Sequence, residues 1–119
     1  RSFELQTSIY NSFVNSLGWI EADRISARPG TSEHQTGLAI DVGNSINQCT
    51  LEICFSDTAE GQWVAANAYK FGFIVRYQQG TEELTGYSFE PWHLRFVGVE
   101  NATLIHQSGQ TLEQFLGLQ

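Results

Sequence analysis

The sequence predicts one globular domain of the α+β class, and three observations support this prediction. Helical and strand-type patterns intermix along the chain without the alternating strand–helix rhythm of a parallel sheet. The length of 119 residues corresponds to one domain. The composition, with 41% hydrophobic, 13% aromatic and 16% charged residues, is typical of a folded globule. We therefore expect residues 1–119 to form a single domain.

The first part of the chain is predicted to contain a helix, a long loop and a strand. Apolar residues recur at helical spacing from Phe3 to Leu17, and Gly18 ends the pattern. Residues 19–37 show no periodicity and contain one proline and two glycines, which predicts a loop that carries function. The segment LAIDV at 38–42 is typical of a buried strand.

A helix and two further strands are predicted next. Asp57 followed by Glu60 resembles a capping box, and the helix that it opens should end at Phe71, before a glycine. The segments FIVRY (73–77) and WHLRFV (92–97) are rich in the β-branched and aromatic residues that strands favour. A polar turn region, QQGTEELTG, separates the two strands.

Two helices are predicted to close the chain. The first runs from Glu100 to Gln107 and ends at Gly109, and the second is a short helix capped by Thr111 and Gln114. His106 lies near the end of the first of these helices, where the helix dipole favours a histidine, so we assign it no functional role.

Charge and hydropathy argue against several function classes. The net charge of −7, with six Lys and Arg residues, makes a nucleic-acid surface or a polybasic membrane contact unexpected. No apolar run approaches the roughly 18 residues of a membrane span, and no signal peptide is visible. Because the chain starts at Arg1, within the approach to a helix, we expect an excised, N-terminally truncated domain without its signal or anchor.

The two cysteines, Cys49 and Cys54, have a spacing that is too wide for a redox CxxC motif, and no second pair exists to complete a structural zinc site. We favour a local disulfide, which would indicate an oxidising compartment. The alternative is a pair of buried free thiols on an irregular strand. Residues five apart on a flat strand point to opposite faces, so a disulfide requires a bend.

Two histidines and two carboxylates are candidates for a metal site. His34 precedes Asp41 by seven residues, and His93 follows Glu90 by three. Two imidazoles and one carboxylate suit catalytic zinc, which lowers the pKa of water toward ~7, and a further carboxylate can then take a proton. Convergence requires two bends, one at Gly37 and one at the Pro-Trp pair that follows Glu90.

The same residues also have structural explanations. A histidine at the start of a strand is often a packed, hydrogen-bonded residue, which would suffice for His93. Asp41 could pair with Arg95 or cap a turn. A carboxylate buried without a cation or a metal is energetically costly, however, which weakens the structural explanation of Asp41.

Two motifs carry a family resemblance. S-x-H-x-x-G-x-A-x-D is present as Ser32, His34, Gly37, Ala39 and Asp41, and E-x-W-H as Glu90, Trp92 and His93. Together they resemble the signature of bacterial zinc D-alanyl-D-alanine carboxypeptidases of the vancomycin-resistance type and their L,D-carboxypeptidase relatives. These carboxypeptidases belong to a wider group that also includes lysostaphin-type and hedgehog-like zinc domains. The similarity extends over nearly the whole chain, from RSFELQ to EPWHLRFVG.

The resemblance implies a small antiparallel sheet flanked by helices, with a bound Zn²⁺ ion. It implies that the zinc ligands are His34, Asp41 and His93, and that Glu90 is the general base and later the proton donor. Arg1 would contact the substrate and stabilise the developing oxyanion. The implied positions around the terminal D-alanine are Ser32, Gln6 and Tyr77, with Trp92 shaping the pocket wall.

The implied function is a zinc carboxypeptidase that removes the terminal D-alanine from peptidoglycan stem peptides. The substrate could be a pentapeptide (D,D) or a tetrapeptide (L,D). Alternatives are an endopeptidase of the same family, a non-catalytic zinc module that binds cell wall or a protein partner, and a structural domain without metal. Glu90 favours an enzyme over a degenerate binding module. We expect a monomer that acts outside the cytoplasmic membrane of a bacterium, without contacting nucleic acid or membrane itself.

Overall fold

A computed structural model describes residues 1–118 of the chain and has the α+β architecture that the sequence predicts. The strands are β1 (Ala39–Asp41), β2 (Phe73–Tyr77) and β3 (Glu90–Phe96). The helices are α1 (Phe3–Leu17), α2 (Trp19–Ile25), α3 (Ala59–Asn67), α4 (Glu82–Thr85), α5 (Val99–Ser108) and α6 (Leu112–Phe115). Three 3₁₀ turns span Glu33–Thr36, Ile53–Asp57 and Ala68–Phe71.

The three strands form one antiparallel sheet in the order β1-β3-β2. Asp41 on β1 lies directly opposite His93 on the central strand β3. Between the pairs Val75–Leu94 and Tyr77–Glu90, β2 advances by two residues while β3 advances by four. The two additional residues on β3 form a bulge, which changes the direction of the side chains that follow it.

The core lies between the sheet and the last two helices. Ile74 of β2 packs against Ala102 and Ile105 of α5 and Leu112 of α6, all of them nearly inaccessible to solvent. Burial of a large aliphatic side chain of this kind contributes roughly 1.5–3 kcal/mol, so this cluster anchors α5 and α6 on the sheet. The predicted terminal helices are confirmed, and Thr111 with Gln114 forms the capping box.

The prediction of an unstructured loop over residues 19–37 is wrong at both ends of that segment. Helix α2 follows α1 directly, separated from it only by Gly18, and it buries Ala22. The 3₁₀ turn at Glu33–Thr36 occupies the other end. An element of seven residues covers only two helical turns, which is too short for its apolar spacing to stand out in the sequence.

The structure differs from the sequence prediction in three smaller ways, which concern element boundaries and burial. Thr58, not Asp57, caps α3. The helical segment ends before Gly72 as predicted, but its last four residues form a 3₁₀ turn. The polar region between β2 and β3 contains the four-residue helix α4. Strand β1 is not fully buried, because Ile40 on this edge strand is 46% exposed.

Cys49 and Cys54 form a disulfide, so that prediction is confirmed. The bend that it requires comes from backbone in the left-handed region at Cys49 and Leu51, with φ of 57° and 55°. Within residues 1–118, no helix is long and apolar enough to cross a membrane.

Candidate active site

His34 is placed by the short 3₁₀ turn that precedes β1. The Ser32 hydroxyl caps this turn and accepts a hydrogen bond from the His34 backbone N–H at 3.2 Å. Gly37 ends the turn with φ of 78°, a conformation that glycine adopts without strain, and the chain then enters β1. His34 therefore lies off the strand that carries Asp41, beyond the bend at Gly37.

His34, Asp41 and His93 converge on one point. The Oδ1 atom of Asp41 lies 3.0 Å from Nε2 of His34 and 3.7 Å from Nδ1 of His93. Cross-strand pairing brings Asp41 and His93 together, and the turn before β1 folds His34 over them. The sequence alone could not show this convergence, because it depends on the register of β1 against β3.

The three side chains fit a zinc ion. Atoms that share a zinc at 2.0–2.2 Å lie roughly 3–4 Å from one another, which matches the two separations at Asp41. Among the residues that the structure describes, the buried Oδ1 of Asp41 receives no aligned hydrogen bond. Burial raises the pKa of Asp41, but the adjacent His34 imidazole outweighs this and lowers it. The donor set is thus an ionised carboxylate facing two imidazole nitrogens.

Glu90 reaches the same point through the bulge in β3. Residues three apart on a regular strand face opposite sides, yet Oε2 of Glu90 lies 3.3 Å from Nδ1 of His93. The Glu90 carboxyl is buried, and this burial raises its pKa even though the neighbouring His93 ring opposes the change. A carboxyl group with a raised pKa holds a proton more readily than an exposed one, which suits a group that first accepts and then releases a proton.

Arg1 lies beside the three convergent side chains. Its guanidinium donates from Nη2 to Oδ2 of Asp41 at 3.1 Å and from Nη1 to Oε1 of Gln6 at 2.8 Å. The buried Gln6 amide is itself fixed by donating to the Ser26 hydroxyl and the Ala27 carbonyl. Gln6 is not among the residues that line the cavity, and its contact with the site is made through Arg1, so its role toward the substrate stays a prediction.

A cavity of about 500 Å³ opens over these residues. Ser32, Tyr77 and Trp92 line it, as does Arg1. The Tyr77 ring lies 4.9 Å from the His93 ring, and burial raises the pKa of the Tyr77 hydroxyl, which therefore stays neutral. Six apolar side chains also line the cavity and are called its apolar wall: Ile9, Phe13, Ile25, Leu51, Ile53 and Phe89.

Glu33 is the site residue that the sequence analysis missed. Its Oε1 atom lies 3.2 Å from Nε2 of His93, and its Oε2 atom accepts from Arg76 at 2.7 Å and Arg95 at 2.8 Å. Burial would raise the pKa of Glu33, but the hydrogen bond with His93 and the ion pair with Arg76 lower it to about 2. The sequence feature that could have indicated Glu33 is its position in the first motif, directly before His34.

Arg95 and His106 both have partners that are not zinc-ligand candidates. Arg95 pairs with Glu33 and not with Asp41, so the proposed Asp41–Arg95 pair is not formed. His106 stacks on Tyr69 with ring centroids 4.0 Å apart, a packing role outside the cavity.

The chain matches a known protein family. The profile of the family described as VanY, D-alanyl-D-alanine carboxypeptidase, matches residues 1–99. The putative carboxypeptidase YodJ of Bacillus subtilis is 45% identical over 97% of this chain. The alignment covers 42% of YodJ, so the chain spans less than half the length of that curated relative.

Solved structures show the same likeness. An L,D-carboxypeptidase DacB from Streptococcus pneumoniae is 47% identical, with a TM-score of 0.85, over 100% of this chain and 61% of the other. The vancomycin-resistance D,D-pentapeptidase VanY of the VanB-type cassette, solved in complex with Zn(II), is 38% identical with a TM-score of 0.82. That match covers 98% of this chain and 67% of the other.

Proposed function

The chain belongs to the VanY D-alanyl-D-alanine carboxypeptidase family, and we propose that it is a zinc-dependent carboxypeptidase that removes the terminal D-alanine from peptidoglycan stem peptides. The observation that carries the proposal is the convergence of His34, Asp41 and His93, with Glu90 beside them, under a cavity. Relatives named for D,D- and for L,D-cleavage both match the chain, so a pentapeptide and a tetrapeptide are the two candidate substrates.

The zinc ion would be held by Nε2 of His34, a carboxylate oxygen of Asp41 and Nδ1 of His93. When bound, zinc supplies a Lewis acid that polarises the scissile carbonyl and increases the acidity of water. With three protein ligands, the set resembles catalytic zinc sites, which keep a further position open, more than structural sites with four.

Glu90 moves the proton in this proposal. Its Oε2 atom takes a proton from the attacking water and later delivers it to the nitrogen of the leaving D-alanine. Burial raises the pKa of Glu90, so the protonated state is reached more easily than in an exposed carboxyl. The short distance to His93 keeps the carboxyl at the reacting centre.

Arg1 binds negative charge on the substrate. Its guanidinium, held by Gln6 and Asp41, faces the cavity and can donate to the carbonyl oxygen on which charge develops. Ser32 and Tyr77 add neutral hydrogen-bonding groups next to it. The apolar wall of the same cavity excludes water and accommodates the alanine methyl groups.

The proposed place of action is outside the cytoplasmic membrane, because peptidoglycan stem peptides are found there. The disulfide between Cys49 and Cys54 supports this proposal, since such bonds persist in oxidising compartments.

The test is mass spectrometry of defined muropeptides, pentapeptide and tetrapeptide separately, after incubation with zinc-loaded protein. Loss of one alanine from the pentapeptide would establish D,D-cleavage, and loss from the tetrapeptide L,D-cleavage. Cleavage elsewhere would indicate an endopeptidase, and no cleavage by zinc-loaded protein would contradict the proposal.

The matched control is Glu90→Ala. We expect this variant to bind zinc and to lose turnover by about 10²–10⁴-fold, the usual contribution of a positioned acid–base group. Turnover at the wild-type rate would remove Glu90 from the mechanism.

A further inference from the structure

We propose that Glu33 is a positioning residue, which holds the His93 ring with its proton on Nε2 so that the lone pair of Nδ1 faces the metal site. The inference rests on the proposed zinc site and adds to it a residue that does not contact zinc or substrate. It assigns a role to a carboxylate that the proposed reaction does not otherwise use.

The geometry places the two ring nitrogens of His93 in different surroundings. Nδ1 faces the site, 3.7 Å from Asp41 and 3.3 Å from Glu90. Nε2 faces the opposite way and lies 3.2 Å from Oε1 of Glu33. The side chains of His93 and Glu33 are only 7% and 13% exposed, so water does not compete freely for this contact.

The charges around Glu33 determine the direction of this hydrogen bond. Arg76 and Arg95 both donate to its Oε2 atom, so Glu33 is an ionised carboxylate that can only accept. The proton in the His93–Glu33 contact therefore belongs to Nε2 of His93. A neutral imidazole with its proton on Nε2 presents an unprotonated Nδ1, which is the form that binds a metal.

Glu33 is connected to the C-terminal part of the chain through Arg76, which contacts both Glu33 and Glu113. Arg76 donates to both carboxylate oxygens of Glu113 on α6, at 2.7 and 2.9 Å. This paired contact holds the guanidinium plane, from which Nε reaches Glu33. Helix α6 lies beyond the residues that match the family profile, and it supports the site through this arginine.

The substitution Glu33→Gln tests the hydrogen-bond direction at nearly constant volume. Two guanidinium groups require an acceptor, so the amide oxygen of glutamine will face Arg76 and Arg95 and its NH₂ group will face His93. An NH₂ group donates to Nε2 and favours the tautomer with its proton on Nδ1, which opposes metal binding.

The first measurement is the zinc dissociation constant, obtained by competition with a chelator at fixed pH. We expect Glu33→Gln to weaken zinc binding by roughly 10–100-fold, as is usual when the outer hydrogen-bond partner of a ligand is lost. Glu82→Gln is the matched control, because it removes the same charge from an exposed ion pair with Arg24. It should change zinc affinity by less than about threefold. A similarly small change in Glu33→Gln would overturn the proposal.

The second measurement needs no variant and remains decisive if Glu33→Gln does not fold. Long-range ¹H–¹⁵N correlation spectra of the zinc-loaded wild-type protein report which ring nitrogen of His93 carries the proton. We expect the proton on Nε2 and the metal on Nδ1. Metal on Nε2, with a protonated Nδ1, would overturn the assignment.

Failure of this inference can be told apart from failure of the proposed function. Zinc affinity and ring protonation are read without any substrate. A wild-type protein that cleaves no muropeptide, but shows the expected tautomer and the expected loss of affinity, would contradict the function and leave the role of Glu33 intact.

Discussion

The cavity is lined by two kinds of side chain: a polar floor around the candidate zinc ligands and an apolar wall. The polar floor takes its side chains from β1, β3 and the 3₁₀ turn before β1, and these side chains contact one another as charged or hydrogen-bonding partners. The apolar wall comes mainly from α1, α2 and the disulfide-closed loop, and its side chains form no hydrogen bonds or ion pairs. His93 on the floor and Leu51 on the wall are examples of the two types.

We expect the floor to determine metal binding and turnover, and the wall to determine how the substrate fits. Charged side chains buried on the floor are stabilised only while their partners remain, so removing one partner affects the others. The apolar wall can change shape without leaving a charge unpaired. Substitutions on the floor should therefore alter metal content and turnover, whereas substitutions behind the wall should alter substrate binding and stability.

The largest effect is expected from His93→Ala on the floor. The variant should lose bound zinc, turnover and part of its stability, because Glu33 and Glu90 lose their shared partner. Zinc content after dialysis and thermal unfolding are the measurements. His106→Ala, which removes a histidine stacked outside the cavity, is the control and should keep its zinc. An unchanged zinc content in His93→Ala would rule this residue out as a ligand.

An intermediate effect is expected when the disulfide behind the wall is removed. The double substitution Cys49→Ser with Cys54→Ser should lower the free energy of unfolding by roughly 2 kcal/mol, from the entropy of a short loop. KM should rise, since Leu51 and Ile53 line the cavity from this loop, while zinc content stays constant. Denaturant unfolding and steady-state kinetics test this prediction, and loss of zinc would contradict the separation of floor from wall.

The smallest effect concerns the corner between α1 and α2, which carries part of the wall. Asp23 accepts hydrogen bonds from Arg28 and from the Tyr10 hydroxyl, and these lower its pKa from 3.8 to about 2. A lowered pKa in the folded state stabilises the protein above pH 3.8, and this contribution is lost as the pH falls toward 2.

Comparison with Asp23→Asn isolates that contribution from other acidic groups. The wild-type melting temperature should exceed that of the variant by a few degrees at pH 7, and the difference should narrow as the pH falls toward 2. A difference that is constant between these pH values would show that Asp23 ionisation does not contribute to stability.

Elements with a strong local signal were predictable from the sequence. Helix α1 carries a long apolar stripe and ends at a glycine, and its predicted bounds are those observed. The capping box at Thr111 likewise located α6. Helix α2 gives no clear signal in the sequence, because its two turns are too short to show a period. Asp57 and the adjacent Thr58 are both residue types that cap helices, and the structure uses Thr58.

Within the site, the sequence showed which residue types could bind a metal, but it did not show which side chains contact one another. The spacing around Gly37 and the Pro-Trp pair indicated bends, and the structure has a turn and a bulge there. The contact between Glu33 and His93 joins residues sixty positions apart, so no local sequence pattern predicts it. The resemblance implies that Gln6 lies near the substrate, but only the packing of α1 shows that its side chain is fully buried.

The sequence by itself determined the donors available for a metal, the carboxyl group beside them and the positions where the backbone must bend. These depend on residue identity and local conformation. Only the tertiary structure decided that Asp41 lies opposite His93, that the bulge turns Glu90 toward the same point, and that Glu33 accepts from the far nitrogen of His93. Strand register and helix packing set these contacts, because a shift of one residue would send each side chain to the other face of the sheet.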